Sequence, residues 1–331
     1  MRLWDATTHA SIGEPIASRG PAERLARPVF TPDGKRVLAG DGSSARLWSS
    51  ATGKPAGEIL KHAKQVTALA VSPNGRTLLT GCLDGTAQQW KASTGEPVGE
   101  PLQHTGPVVF TTFSPDGKTL LTAELPPDES ATARLWDART GKPLRKPIAY
   151  VPALLWPPFL FSADSRLLLS GSRGGVRVWD VATGAPCGEP LPGPHQVDSL
   201  ALSPDGAILA VAGLQPARPN DPGAAERRGH VLFWDLVERR LIAPPIRVNA
   251  HANPRVLFSP DGALLLVLAG FEAHLWDVPR PVAGGAEHAR LWLEASTGLE
   301  LDAGGAVVSL EAKAWGERWK RLQKLGGPPM K

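Results

Sequence analysis

Cysteine is nearly absent, with only Cys82 and Cys187 in 331 residues. Two isolated thiols build neither a disulfide framework nor a zinc knuckle, and they fit a reducing, cytoplasmic compartment. Long apolar runs are missing as well. No stretch is long enough to span a bilayer, and the opening MRLWDATTHA lacks the apolar core of a signal peptide. An excess of one charge is confined to one place. Residues 311–331 carry Lys313, Arg318, Lys320, Arg321, Lys324 and Lys331 against Glu311 and Glu317, which accounts for the whole net charge of +4. The rest of the chain is neutral, so a broad basic surface for nucleic acid is not expected, and only the tail 311–331 remains as a local exception.

Catalytic signatures are missing too. His9, His230, His274 and His288 fall in no H-x-H or H-E-x-x-H spacing, so no metal centre is expected. There is no Walker lysine motif, and no H-R-D or D-F-G triplet of a kinase. Gly40-Asp41-Gly42-Ser43-Ser44-Ala45 resembles a dinucleotide fingerprint, but it leads into the strand-like Arg46-Leu47-Trp48 rather than a helix, and so reads as a turn. No catalytic residue, cofactor or metal is predicted.

What the chain does have is glycine, proline and tryptophan at regular intervals. Gly and Pro number 35 and 33, about a fifth of the residues, which suits many tight turns. A turn signal recurs as Phe30-Thr-Pro-Asp-Gly, Val71-Ser-Pro-Asn-Gly, Phe113-Ser-Pro-Asp-Gly, Phe161-Ser-Ala-Asp-Ser, Leu202-Ser-Pro-Asp-Gly and Phe258-Ser-Pro-Asp-Gly. Each is followed by a tryptophan, and with the opening Trp4 the series runs Trp48, Trp90, Trp136, Trp179, Trp234, Trp276, at spacings of 44, 42, 46, 43, 55 and 42. A repeat of that length is the signature of a four-stranded propeller blade.

On these motifs, residues 1 to about 280 resemble the WD40 family. The resemblance implies an all-β, WD40-type β-propeller with about seven blade positions. In each unit strand a precedes the Pro-Asp-Gly turn, b follows it, c ends at the tryptophan, and d follows a Thr-Gly turn. Residues 1–20 supply only c and d of a first, incomplete unit, and residues 21–280 supply six more. Either residues 1–331 are the C-terminal part of a longer chain, which is the expectation here, or the hairpin-like Leu299–Leu310 substitutes for the missing strands. Residues 281–331 form a separate tail, read as helix (Ala286–Ser296), hairpin and helix (Glu311–Leu325), the last with Trp315, Trp319, Leu322 and Leu325 on one stripe. That stripe reads either as a partner-docking helix or as a helix packed onto the propeller, and packing is the expectation here. Through Arg290-Leu-Trp, Thr297-Gly298, Leu301-Asp302, Trp315 and Gly326-Gly-Pro-Pro, the tail is similar to those of certain bacterial WD40 proteins, some with a Ser/Thr-kinase domain upstream.

The family resemblance also implies a hydrogen-bonded network of His, Ser/Thr, Asp and Trp in each blade. Here it is complete only for His62, Thr80, Asp84 and Trp90; His104, Thr122 and Trp136 lack a clear turn aspartate, and His195 and His251 lack the Ser/Thr. These histidines therefore read as structural. Strand a of the fourth full unit is interrupted by Trp156-Pro157-Pro158, so an irregular blade is expected there.

Two b–c connections are longer than the rest, Glu124–Ala131 and Leu214–Gly229, and alternation of strand direction puts both at the same end of the ring. Loops that vary on a rigid repeat scaffold are where specificity resides. Glu124, Asp128, Glu129, Arg218, Arg227 and Arg228 are the candidate partner-binding charges, against the plainer reading that they keep two loops soluble. The predicted function is a non-catalytic protein–protein interaction scaffold, with unidentified protein partners and no membrane. The alternative is a small-ligand sensor or hydrolase-type propeller working through the central channel. The inner strands Ala26–Phe30, Val66–Val71, Val108–Phe113, Val197–Leu202 and Pro254–Phe258 read as apolar, with no shared carboxylate or histidine, which disfavours that alternative.

Overall fold

The recurring turn signal explains the strand spacing. In the 114–119 turn the Ser114 hydroxyl donates to Asp116 at 2.6 Å and accepts the Thr119 N–H at 3.0 Å. Asp116 also accepts the Lys118 N–H, and Gly117 closes the turn at a φ of 70°, which only glycine adopts without strain. The same side-chain clamp recurs at Thr31/Asp33, Ser72/Asn74, Ser162/Asp164, Ser203/Asp205 and Ser259/Asp261. Each clamp pins the register of an a–b hairpin.

The computed structural model describes residues 2–5, 7–16, 26–125, 131–150, 158–215, 228–249, 253–270, 272–278, 291, 294–295, 299–301 and 307–324. Strands β1 (Leu3–Trp4) and β2 (Ser11–Ile12) form a two-stranded sheet. Three four-stranded antiparallel blades follow. The first holds β3 (Val29–Phe30), β4 (Arg36–Asp41), β5 (Ser44–Ser49) and β6 (Pro55–Lys61). The second holds β7 (Val66–Val71), β8 (Thr77–Cys82), β9 (Thr86–Lys91) and β10 (Pro97–Gln103), and the third β11 (Val108–Phe113), β12 (Thr119–Glu124), β13 (Thr132–Asp137) and β14 (Ile148–Ala149).

The next two units are fused into one seven-stranded sheet: β15 (Phe159–Phe161), β16 (Leu167–Asp180), β17 (Leu191–Leu202), β18 (Ile208–Gln215), β19 (Arg228–Asp235), β20 (Arg240–Leu241) and β21 (Ile246–Asn249). Here β17 serves as d of one unit through Leu191–Gln196 and as a of the next through Gln196–Leu202. Facing glycines make this merger sterically feasible, because a Cβ on Gly193 would lie 3.0 Å from the Gly175 Cα. The last unit contributes β22 (Arg255–Phe258), β23 (Leu264–Ala269) and β24 (Glu272–Asp277). Pro158 precedes a three-residue inner strand in the irregular unit; Trp156 and Pro157 lie outside the described residues. In the first full blade the inner strand is Val29–Phe30, shorter than Ala26–Phe30.

Blades stack through a repeated small-to-large contact. A Cβ on Gly40, Gly81 or Gly171, near the end of each b strand, would meet the first valine of the next inner strand, Val66 at 3.8 Å, Val108 at 2.7 Å and Val197 at 2.6 Å. The core is correspondingly divided into blade-to-blade layers of Leu, Val and Ala. Trp90, Trp136, Trp179 and Trp234 are at most 9% exposed, whereas Trp4 and Trp276, in the incomplete first unit and the last, are 59% and 39% exposed.

The chain divides into two compact units, Met1–Val278 and Pro279–Lys331. In the second, β25 (Leu299–Leu301) and β26 (Val307–Ser309) pair with each other, and α1 spans Ala312–Lys324. Of the stretch predicted as the first tail helix, Leu291, Glu294 and Ala295 are described and are helical. Of the stripe on α1, Leu322 is buried against Leu291 and Ala295, whereas Trp315 and Trp319 remain 41% and 37% exposed, the Trp315 indole donating to the Ala295 carbonyl at 2.7 Å. Trp319 stacks on Trp315 with centroids 5.8 Å apart.

Candidate functional site

The b–c and d–a connections meet at one end of each blade, where buried side chains hold the rim. In the second blade the Thr80 hydroxyl is the hub. It accepts the Trp90 indole N–H at 2.8 Å and bonds His62 Nε2 at 2.7 Å, while the imidazole meets the indole edge-on at 5.5 Å. Burial lowers the His62 pKa, offset in part by the Asp84 charge. Asp84 itself binds locally, accepting the Thr86 N–H at 2.9 Å and its hydroxyl at 2.6 Å. His62, Thr80 and Trp90 are thus bonded together, with Asp84 fixing the adjacent b–c turn.

The third blade corrects the reading of Glu124. This residue is not an exposed loop charge; it is the last residue of β12 and fully buried. Its carboxylate accepts the Thr105 and Gly106 N–H groups at 2.7 and 3.0 Å, the Thr105 hydroxyl at 2.9 Å and the Thr132 hydroxyl at 2.6 Å, and Arg134 closes the set at 3.2 Å. Burial by itself would raise its pKa, but these donors and the nearby His104 outweigh that and hold it down to about 2. Glu124 therefore supplies the buried acid that this blade was expected to lack, and it belongs to the rim rather than to a partner surface. Beside it, Trp136 donates to Thr122 at 2.7 Å and meets His104 edge-on at 5.5 Å. Neither ring nitrogen of His104 has a hydrogen-bond partner among the described residues, and burial brings its pKa down to about 4. An acidic residue ending the apolar run Leu120-Leu-Thr-Ala-Glu124 was the available sequence signal.

Elsewhere the network thins. Ser170 accepts the Trp179 indole at 2.9 Å. The buried Trp234 Nε1 has no partner among the described residues, because Val211 occupies the position that Thr80 and Thr122 hold. His195 is exposed, and His251 lies outside the described residues.

Of the remaining candidate charges, Asp128, Glu129, Arg218 and Arg227 also lie outside the described residues. Arg228 is not in a loop; it begins β19, opposite Gln215 and Asn249. The second insertion is thereby shorter than its sequence estimate, since Leu214, Gln215, Arg228 and Gly229 are paired strand. The stem that carries residues 216–227 is three-stranded, β21 lying along Arg228–Val231, and the Gln215 side chain accepts the His195 N–H at 3.0 Å.

The inner strands carry more charge than their apolar character suggested. Asp198 is buried in β17, Arg255 Nη1 approaches its carbonyl at 3.5 Å, and burial together with the Arg27 charge lowers the Arg255 pKa. Among the described residues, no three His, Cys, Asp or Glu side chains cluster as a metal site.

Comparison with known proteins fits this geometry. The chain matches the family described as WD domain, G-beta repeat at residues 53–91, 95–137 and 155–180. It is 32% identical over 127 residues to WD repeat and SOCS box-containing protein 1 of Danio rerio, covering 38% of this chain and 27% of that protein. It is 29% identical to the Xenopus tropicalis protein of the same name over the same shares. Periodic tryptophan protein 2 homolog of Schizosaccharomyces pombe is 37% identical over 79 residues, 24% of this chain and 8% of that one. The chain thus spans about a quarter or less of the length of these relatives. Among solved structures, Kuenenia stuttgartiensis Hydrazine Synthase superposes with a TM-score of 0.62 at 17% identity, over 83% of this chain and 80% of that one, a likeness of fold alone.

Proposed function

Because the chain belongs to the WD40-repeat propellers, we propose that it is a non-catalytic scaffold that binds protein partners on the face formed by its b–c and d–a connections. The observation that carries this reading is the β18–β19 stem. The hairpin runs eight pairs, from Ile208–Asp235 to Gln215–Arg228, where the b–c hairpins of the first three full blades run five or six, and as in those blades the d strand lies along its c strand. The extension buries Leu214 and Gly229 and holds both ends of residues 216–227 in paired strand, which suits a rigid base for a variable loop. The buried Glu124 and Thr80 clusters then act as the stiffening of the same rim.

In this reading residues 1–280 are the interaction module and 281–331 a helix-hairpin-helix tail, in a reducing cytoplasm that suits the free Cys82 and Cys187. The resemblance of the tail to kinase-linked WD40 proteins favours a place within a larger signalling polypeptide. The test is an affinity capture from host lysate with mass spectrometry, comparing 1–331 with a variant whose 216–227 segment is cut to a short turn. A protein retained by the full chain and lost with the short loop supports the face; equal retention by both removes this loop from it.

A further inference from the structure

We propose that the outer seam between the second and third full blades is a site for a small neutral carboxamide on a flat apolar body. Such a site is separate from the scaffold reading and does not rest on it. At neighbouring seams a long side chain of one blade closes against the adjoining one. A Cβ on Gly95 would lie 2.7 Å from the Glu58 Cβ, and Arg145 lies against Gly184 and donates to the Ala182 carbonyl at 2.6 Å. Arg239 does the same in the opposite sense, meeting Gly188 and donating to the Glu189 carbonyl. Between the second and third blades the matching Gly141 has Leu102 as its one neighbour among the described residues, 3.5 Å from where its Cβ would stand. A cavity of about 340 Å³ opens there, near the lower end of the range for small-molecule sites.

One residue of this cavity departs from the repeat. The position just before the blade tryptophan is Leu47, Leu135, Val178 and Phe233 in other units, each at most 4% exposed. Leu47, Leu135 and Val178 share core layers with the next blade's Trp90, Trp179 and Trp234. In the second blade that position is Gln89, 5% exposed, which lines the cavity together with Trp136 of the next blade. Side chains alternate along β9, so Gln89 shares the face of Ala87, which packs in one layer with Leu102 and Trp136. Its carbonyl accepts the Gln88 amide, but its own side-chain amide makes no hydrogen bond among the described residues. Gln88, by contrast, donates to the Val98 and Gly99 carbonyls as well. A buried amide without donor or acceptor is costly unless a ligand supplies them. A carboxamide does so reciprocally, its N–H donating to the Gln89 oxygen and its oxygen accepting the Gln89 N–H. The Trp136 indole N–H is committed to Thr122, so its ring offers apolar surface, with Val98 and Leu102 beside it. Arg139 and Glu100 line the same cavity with opposite charges, so neither sign of ligand is favoured and a neutral one is selected.

The experiment titrates the full 331-residue chain with benzamide, and with benzoate and acetophenone as charged and donor-free matches, by calorimetry and protein-observed NMR. Benzamide should bind about tenfold or more tightly than either match and shift the Trp136 indole N–H resonance. Gln89→Leu restores the residue type of the neighbouring blades, so the fold should hold while the preference is lost. An absence of benzamide binding at millimolar concentration, a smaller preference, shifts confined to other residues, or a preference that survives Gln89→Leu overturns the proposal. The comparison of the three probes on the unaltered chain decides the matter even if the variant does not fold.

Discussion

His104 Nδ1 lies 3.9 Å from Glu124 Oε2, and neither side chain reaches solvent. The two groups respond to acid in the same direction. The folded-state pKa of His104 falls from 6.5 to about 4, so between those values the unfolded chain takes up a proton that the folded one refuses. Glu124 falls from 4.5 to about 2, so its contribution is present above 4.5 and is lost as pH drops toward 2. Stability should therefore decline continuously from pH 6.5 downward. The His104 share is on the order of 3 kcal/mol, at ~1.4 kcal/mol per pH unit. Urea midpoints measured from pH 7 to 4 check this, and His104→Gln should flatten the upper part of the slope.

Removing the acid has a different consequence. Glu124→Ala leaves the Thr105 and Gly106 N–H groups, the Thr132 hydroxyl and Arg134 without their shared acceptor. The expected loss is about 3–5 kcal/mol at neutral pH, read from chemical denaturation.

The repeat was legible in the sequence because its signals are local: a Ser and an Asp clamp one turn, and a tryptophan marks one strand. Non-local features were not. Glu124 reads as a loop charge until the Thr105–Gly106 connection, arriving from the preceding blade, closes over it at the same end. The fused β16–β17 sheet depends on the facing Gly175 and Gly193, which lie eighteen residues apart and carry no pattern of their own. Asp198, Arg255 and Arg27 come from three units, so no window of sequence shows them together.

The unsatisfied Trp234 indole offers a gain rather than a loss. Val211 stands where Thr80 and Thr122 accept an indole N–H at 2.8 and 2.7 Å. Val211→Thr is nearly isosteric and should stabilise by about 1 kcal/mol, because a buried donor acquires its acceptor. The control is Val176→Thr, equally buried but with no orphan donor beside it among the described residues, which should cost about 1–3 kcal/mol. Thermal midpoints that move in opposite directions establish the network position; a loss in both variants rejects it.

In the second unit, Arg318 ties α1 to two separate segments, bonding Glu294 at 2.7 Å and Glu300 in β25. Arg318→Ala should loosen the tail helix without touching the blades. Helical circular dichroism should fall and Trp315 fluorescence should shift to the red, while the main unfolding transition stays within about 0.5 kcal/mol.

The contact between Gly81 and Val108 tests whether the blades register by volume. A Cβ at position 81 would stand 2.7 Å from Val108 Cγ1 and 3.2 Å from both the Ala68 Cβ and the Thr111 Cγ2. A β-branched valine in a buried strand cannot swing aside, so Gly81→Ala must push two blades apart, at about 1–3 kcal/mol. Val108→Ala alone should cost about 2–4 kcal/mol through the cavity it leaves. The double variant should be more stable than the sum of the two losses by at least about 1 kcal/mol, since the methyl added on one blade fills space vacated on the other. Simple additivity in the cycle would mean that the glycine is kept for backbone reasons and that blade spacing is set elsewhere.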